Sequence, residues 1–171
     1  MPESASQALY TPAQRARRDA TAWTLVQGVL APVQFLIFGI SLYLVVHSLQ
    51  TGEDTQWALA SVVLKTVVLY AIMITGAIWE KVVFDCYLFA PAFFWEDVVS
   101  MGVMALHTAY VWVWWQGQWS TYEQLVLALA AYGSYAFNAA QYIRKLRMAR
   151  LQKIPSSDHT TLPNTGAQAS L

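Results

Sequence analysis

The chain has 171 residues, of which 57% are hydrophobic and 12% charged, with ten Lys and Arg balancing ten Asp and Glu. A soluble domain carries about 25% charged residues, whereas the charges here leave four gaps, at 20–52, 66–79, 98–122 and 124–143. A membrane span needs about 20 apolar residues, so an ordinary soluble enzyme, a disordered chain and a nucleic-acid binder with a large basic surface are all excluded.

Residues 1–20 are polar and lack the apolar stretch and small-residue cleavage site of a signal peptide. Residues 1–10 are expected to be flexible. Thr11-Pro12-Ala13-Gln14 reads as a capping box with proline at the first helical position, so a helix begins ahead of the membrane. Four spans follow at about 24–47, 57–79, 97–115 and 122–142. They are uniformly apolar without a period of two, which makes them helices rather than barrel strands.

Pro32 is expected to bend the first span. In the second, Lys65 is the one cation inside a span; a structural role is expected, with its stem snorkelling outward. Gly76, Gly102 and Gly133 read as points of close helix approach. Ser120-Thr121-Tyr122-Glu123 is a second capping box and opens the fourth span. That helix is expected to continue as a basic stalk to Pro155, and 155–171 to form a disordered tail. The fold class is therefore an all-α integral membrane protein, a four-helix bundle over 11–154.

Three Lys or Arg precede the first span, one follows the second and five follow the fourth, while the first and third loops carry none. The positive-inside rule then places both termini and the 80–96 loop in the cytoplasm. Trp57, Trp112, Trp115 and Trp119 mark the outer interface, and Trp23, Trp79 and Trp95 the inner one.

Polar groups in hydrocarbon are costly, so their positions carry the functional information. Gln27 and Gln34 share a face of the first helix, and Ser134, Asn138 and Gln141 share one on the fourth. Glu96, Ser100, His107 and Trp114 fall on one stripe of the third. The loop between the second and third helices gathers Glu80, Asp85, Glu96 and Asp97 around Tyr87, Phe89, Phe93, Phe94 and Trp95. Aromatic walls with carboxylates suit a large flat amphiphile; the competing reading is headgroup anchors with solvated acids. His107 has two readings as well, a hydrogen bond to a neighbouring carbonyl or a functional role. A bis-histidine haem is disfavoured by the unequal depths of His47 and His107, and Cys86 as the single cysteine excludes a disulfide framework. No phosphate loop, zinc spacing or nucleophile triad is visible, so an enzyme of this sequence would do carboxylate acid–base work without a redox cofactor.

Five segments, at 9–35, 64–84, 87–101, 106–110 and 138–142, resemble the C-3 vinyl bacteriochlorophyllide hydratase family of bacteriochlorophyll biosynthesis. The strings APAFFWEDVVSM and TGAIWEKVVF are the most distinctive, and the resemblance covers roughly 9–150. It implies a lyase adding water to the C-3 vinyl group of a chlorophyllide or bacteriochlorophyllide, in a bacterial cytoplasmic or photosynthetic membrane. The partners implied are the pigment, lipid and other enzymes of the same synthesis, with no nucleic acid. On that reading Glu96 is the proton donor and Glu80 the base or water-positioner, with Asp97 and Asp85 behind them. His107 is a candidate ligand to the substrate magnesium, and Lys81 or Arg144 a candidate partner for the propionate. Trp95, Phe94, Asn138 and Gln34 complete the expected substrate-binding set. The rival readings are a non-catalytic pigment-binding or assembly subunit, a small proton-linked transporter, and a hydratase acting on a different chlorin.

Overall fold

The computed structural model describes residues 9–151, in which five helices and no strand occur. They are α1 (Pro12–Ala20), α2 (Ala22–Thr51), α3 (Thr55–Phe84), α4 (Phe94–Gln116) and α5 (Thr121–Leu151). Three of them, α2, α3 and α4, are long and apolar enough to cross a membrane. The expected tail and its Pro155 stop lie outside the described residues.

Both expected capping boxes form. Thr11 Oγ1 accepts from the Gln14 amide at 3.2 Å while Gln14 Oε1 accepts from the Thr11 amide at 2.9 Å. Ser120 and Glu123 make the same reciprocal exchange at the start of α5. A new start at Thr21, whose hydroxyl accepts from the Trp23 amide, separates α1 from the first long helix. Gly52 and Gly117 end α2 and α4 in the left-handed region, where glycine meets no Cβ penalty. The short connections that follow pack α2 against α3 and α4 against α5 as antiparallel hairpins.

Each long helix turns one stripe inward, at the spacing of three and four residues that a helical face requires. On α2 the stripe is Gln34, Ser41, Val45 and Ser48; on α3 it is Ala58, Val62, Lys65 and Leu69. On α4 it is Asp97, Ser100, Val103, His107 and Tyr110. Large apolar side chains face outward instead, among them Leu25, Leu36, Ile40, Leu64, Val67 and Ile74. Polar inside and apolar outside is the distribution expected when hydrocarbon is the solvent, because hydrogen-bonding groups then find partners only within the bundle.

Those partners tie the helices together. Tyr132 and Ser61 each lie 2.5 Å from the Ser41 hydroxyl, joining α2, α3 and α5. Tyr110 donates to the Leu59 carbonyl, and Gln27 donates to Thr75 Oγ1 at 2.7 Å. At the end of the bundle bearing the α3–α4 loop, Tyr10, Val83 and Phe93 form an aromatic cluster with Trp79, Phe84 and Tyr142.

Several expectations are corrected. Tyr10, placed in a flexible N-terminus, is buried and stacks on Phe84 with ring centroids 5.7 Å apart. Lys65 does not snorkel: its stripe faces the bundle axis, the residue is 0% exposed, and Nζ sits 3.6 Å from the Tyr135 ring centroid. Trp114 shares the angular face of His107 but is exposed, and Val113 takes the inward position in that turn. Gly102 and Gly133 face open space, so neither permits a close approach, while Gly76 meets only the Gln27 side chain, at ordinary contact distance.

Removing the Tyr132 hydroxyl tests this internal bonding. Tyr132→Phe is expected to destabilise the bundle by about 0.6 kcal/mol, the average for hydrogen bonds between membrane helices, and by at most about 1.7 kcal/mol. Reversible unfolding in detergent reads the loss, and an unchanged midpoint would show the Ser41 contact to be energetically silent.

Candidate active site

The α3–α4 loop end of the bundle holds most of the acidic side chains the sequence singled out. Glu80 projects from the last turns of α3, and Glu96 and Asp97 from the first turn of α4. Glu80 and Asp97 are 5% and 1% exposed, and consecutive amides of the loop bond one carboxyl group each, which sets the two acids side by side. A helix N-terminus favours the negative charge placed there on α4.

The intervening loop is bent around this pair. Phe89 has φ of 60°, a conformation costly for a bulky residue. It turns two successive backbone amides inward: the Phe89 N–H donates to Asp97 Oδ2 at 2.8 Å, and the Ala90 N–H donates to Glu80 Oε2 at 3.3 Å. Consecutive amides converging in this way form an anion-holding concavity. Tyr142 of α5 completes it, its hydroxyl donating to Asp97 Oδ1 at 3.2 Å.

Glu96 stands apart. Its Oε2 accepts from Lys145 Nζ at 2.6 Å, and that ammonium also lies 5.0 Å from the Phe93 ring centroid. Asp85 is likewise separate: it ends α3 in the left-handed region, is exposed, and pairs with Arg17 Nη1 at 2.7 Å. The Arg17 guanidinium holds the Asp85 carboxyl below the usual carboxylate range. The expected cluster of four acids is thus a pair, a flanking ion pair and a surface clasp to α1.

The expected substrate-binding residues divide in the same way. Phe94 and Trp95 are exposed beside the acids, with ring centroids 5.4 Å apart, and Phe89 lies 5.8 Å from Phe94. Lys81 donates to the Asp85 carbonyl at 2.8 Å, and Arg144 is exposed on α5. Asn138 is buried one turn before Tyr142 and donates to Ser100 Oγ at 2.8 Å. Gln34 and His107 lie deeper in the bundle; His107 Nδ1 is 2.8 Å from the Val103 carbonyl, the bond its first reading required.

Lys145, Tyr142 and the Phe89 and Ala90 amides escaped the sequence reading. Tyr142 had a signal, since it follows Asn138 by one helical turn. Lys145 was one of several bases in a stalk, and backbone amides leave no trace in side-chain chemistry.

The fold and this site define a class: an all-helical protein with membrane-type helices and a buried carboxyl pair at one end, flanked by exposed aromatic rings. The family model for 2-vinyl bacteriochlorophyllide hydratase (BCHF) matches residues 10–148, and the chain belongs to that family. It is similar to the 2-vinyl bacteriochlorophyllide hydratase of Rhodobacter capsulatus, with 58% identity over 161 residues and 94% of each chain covered. The protein of the same name from Cereibacter sphaeroides is 63% identical over 150 residues, covering 88% of this chain and 93% of its own. No solved structure matches the chain.

The Arg17–Asp85 clasp predicts a pH response. Because Arg17 lowers the Asp85 value in the folded state, the clasp stabilises the α1 contact above the ordinary carboxylate range and loses that contribution as pH falls through the lowered value. In Arg17→Gln, Asp85 is expected to titrate at higher pH. The carboxyl carbon shift of labelled Asp85 reads this directly, and identical titrations would remove Arg17 as the cause.

Proposed function

We propose that the chain hydrates the C-3 vinyl group of a bacteriochlorophyllide or chlorophyllide, the group numbered 2 in its relatives' names, to a 1-hydroxyethyl group. It is then a hydro-lyase of bacteriochlorophyll synthesis. The observation that carries the mechanism is the buried Glu80–Asp97 pair beside an exposed aromatic surface.

Two neighbouring carboxyl groups shielded from water do not both ionise cheaply, so the pair holds one proton between them. The loop amides and the Tyr142 hydroxyl hold the remaining negative charge. That arrangement supplies an acid and a base at one place. The shared proton passes to the terminal vinyl carbon, and the cation left on the inner carbon is delocalised into the macrocycle. Water attacks that carbon, its oxygen forming the new C–O bond, and the proton it releases returns to the pair. Assistance of this kind is worth about 10²–10⁴-fold.

Glu96 is engaged as the anionic partner of Lys145, so the acid role expected of it passes to the pair. Its ion pair holds the ends of α4 and α5 together around Phe93. Phe89, Phe94 and Trp95 offer rings on which a flat macrocycle can stack, with Lys81 and Arg144 as the cations for its propionate. Magnesium ligation by His107 requires the macrocycle to enter the bundle, since ten residues of α4 separate it from Asp97, about 15 Å along the axis.

In this reading α5 is the fourth span and both termini are cytoplasmic, in a bacterial inner or photosynthetic membrane. The distribution of Lys and Arg supports that orientation.

Membranes carrying the chain, incubated with 3-vinyl bacteriochlorophyllide in H₂¹⁸O, are expected to give a hydroxyethyl product labelled at the new oxygen. Asp97→Asn and Glu80→Gln should each lower kcat by about 10²-fold or more while pigment still binds. Pigment binding without conversion by the unaltered protein would favour the non-catalytic pigment-binding subunit and sink the hydratase reading.

A further inference from the structure

A second polar group of residues lies deeper in the bundle, apart from the carboxyl pair. Lys65 of α3 and His107 of α4 are 0% exposed, and Gln34 of α2 is 2% exposed. The Lys65 Nζ, His107 Nε2, both amide atoms of Gln34 and the Oδ1 of Asn138 are all buried without a hydrogen-bond partner. Leaving such groups unpaired in an apolar interior is expensive, and each calls for a partner.

These residues line successive turns of the bundle interior around Tyr132 and Tyr135. Lys65 Nζ lies 3.6 Å from the Tyr135 ring centroid. Phe35 and Phe38, which follow Gln34 on α2, pack on the same ring at 6.0 and 4.9 Å. Asn138 is one helical turn beyond Tyr135, and His107 packs on Tyr132, one turn before it.

The chemistry of the unpaired atoms selects the ligand. Val103 O can only accept, so His107 Nδ1 carries the proton and Nε2 of the neutral ring offers a lone pair. Gln34 Oε1 and Asn138 Oδ1 are acceptors too, whereas Lys65 Nζ and Gln34 Nε2 donate. An anion would suit the two donors and be repelled by the three acceptors. A small neutral molecule that both donates and accepts suits all five, and water is that molecule.

A series of polar side chains leads from these turns to the carboxyl pair. Asn138 Nδ2 donates to Ser100 Oγ at 2.8 Å, and Tyr142, one helical turn beyond Asn138, donates to Asp97 Oδ1 at 3.2 Å. We propose that Gln34, Lys65, His107 and Asn138 hold a string of buried water molecules at the centre of the bundle, and that this string supplies the water of hydration to the Glu80–Asp97 pair. The second clause rests on the proposed hydratase function; the first does not. Each turnover draws one water, whose oxygen and one hydrogen become the hydroxyl while the other hydrogen replaces the proton given to the vinyl terminus.

Water-edited solid-state NMR of the full chain in lipid bilayers, with ¹⁵N-labelled Lys, His and Val, tests the site. Lys65→Met and His107→Phe identify the two signals by their loss. Magnetisation from water is expected to reach Lys65 and His107 as fast as it reaches exposed side chains. Transfer as slow as to the backbone of Val62 and Val103 would overturn the water site, and the unaltered protein decides this even where a variant fails to fold. For the supply role, Gln34→Leu and Asn138→Leu should each slow the transfer and lower kcat about tenfold with KM for the vinyl pigment unchanged. Slowed transfer with kcat within twofold of the unaltered protein would overturn supply while leaving the site. Absence of any hydration by the unaltered protein overturns the proposed function and, with it, supply, but not the water contact.

Discussion

Two carboxyl groups from successive helices, Glu80 and Asp97, meet where water is largely excluded. A buried charge of this kind is tolerated only when hydrogen-bond donors surround it. The structure meets that demand from three directions: the Phe89 and Ala90 amides of the loop and the Tyr142 hydroxyl of α5. The left-handed Phe89 turns the loop amides onto the pair, and the aromatic cluster of Tyr10, Phe93 and Tyr142 packs at the same end of the bundle. Strain in the loop backbone is therefore the cost of turning two consecutive amides to face the acids.

The same exclusion of water arranges the rest of the bundle. Hydrocarbon gives apolar side chains no reason to hide, so many Leu, Ile and Val lie on the outside, while Ser, Gln, Lys and His share the axis with the apolar core. The Ser41–Tyr132 and Asn138–Ser100 bonds show how polar side chains knit helices in such a setting. Where the series of partners is interrupted, at Gln34, Lys65 and His107, the interior is still polar. A bundle whose reaction consumes water thus has an axis able to hold it.

Much of this was legible beforehand because its causes are local. Thr11 with Gln14 and Ser120 with Glu123 announce helix starts through side chains three residues apart, and both boxes formed as read. The inward stripe of Ser100 and His107 follows from a 100° step along α4. Lys65 was misread because snorkelling depends on which way a stem points, and that direction is set by how α3 packs on α5. Gly102 and Gly133 were misread for a related reason: a small residue permits close approach only if a neighbour is there to approach.

Chain order alone determined that the protein belongs among membrane helices, where most of those helices begin, and which stretch concentrates acids and aromatic rings. It could not determine which acids meet. Glu96 and Asp97 are adjacent in sequence yet lie 100° apart on the helix, so one reaches Lys145 of α5 and the other Glu80 of α3. Asp85, only five residues beyond Glu80, is carried outside by the left-handed turn that ends α3 and is taken by Arg17. Those outcomes depend on the register and rotation of packed helices and on one strained loop residue, and these are properties of the assembled bundle.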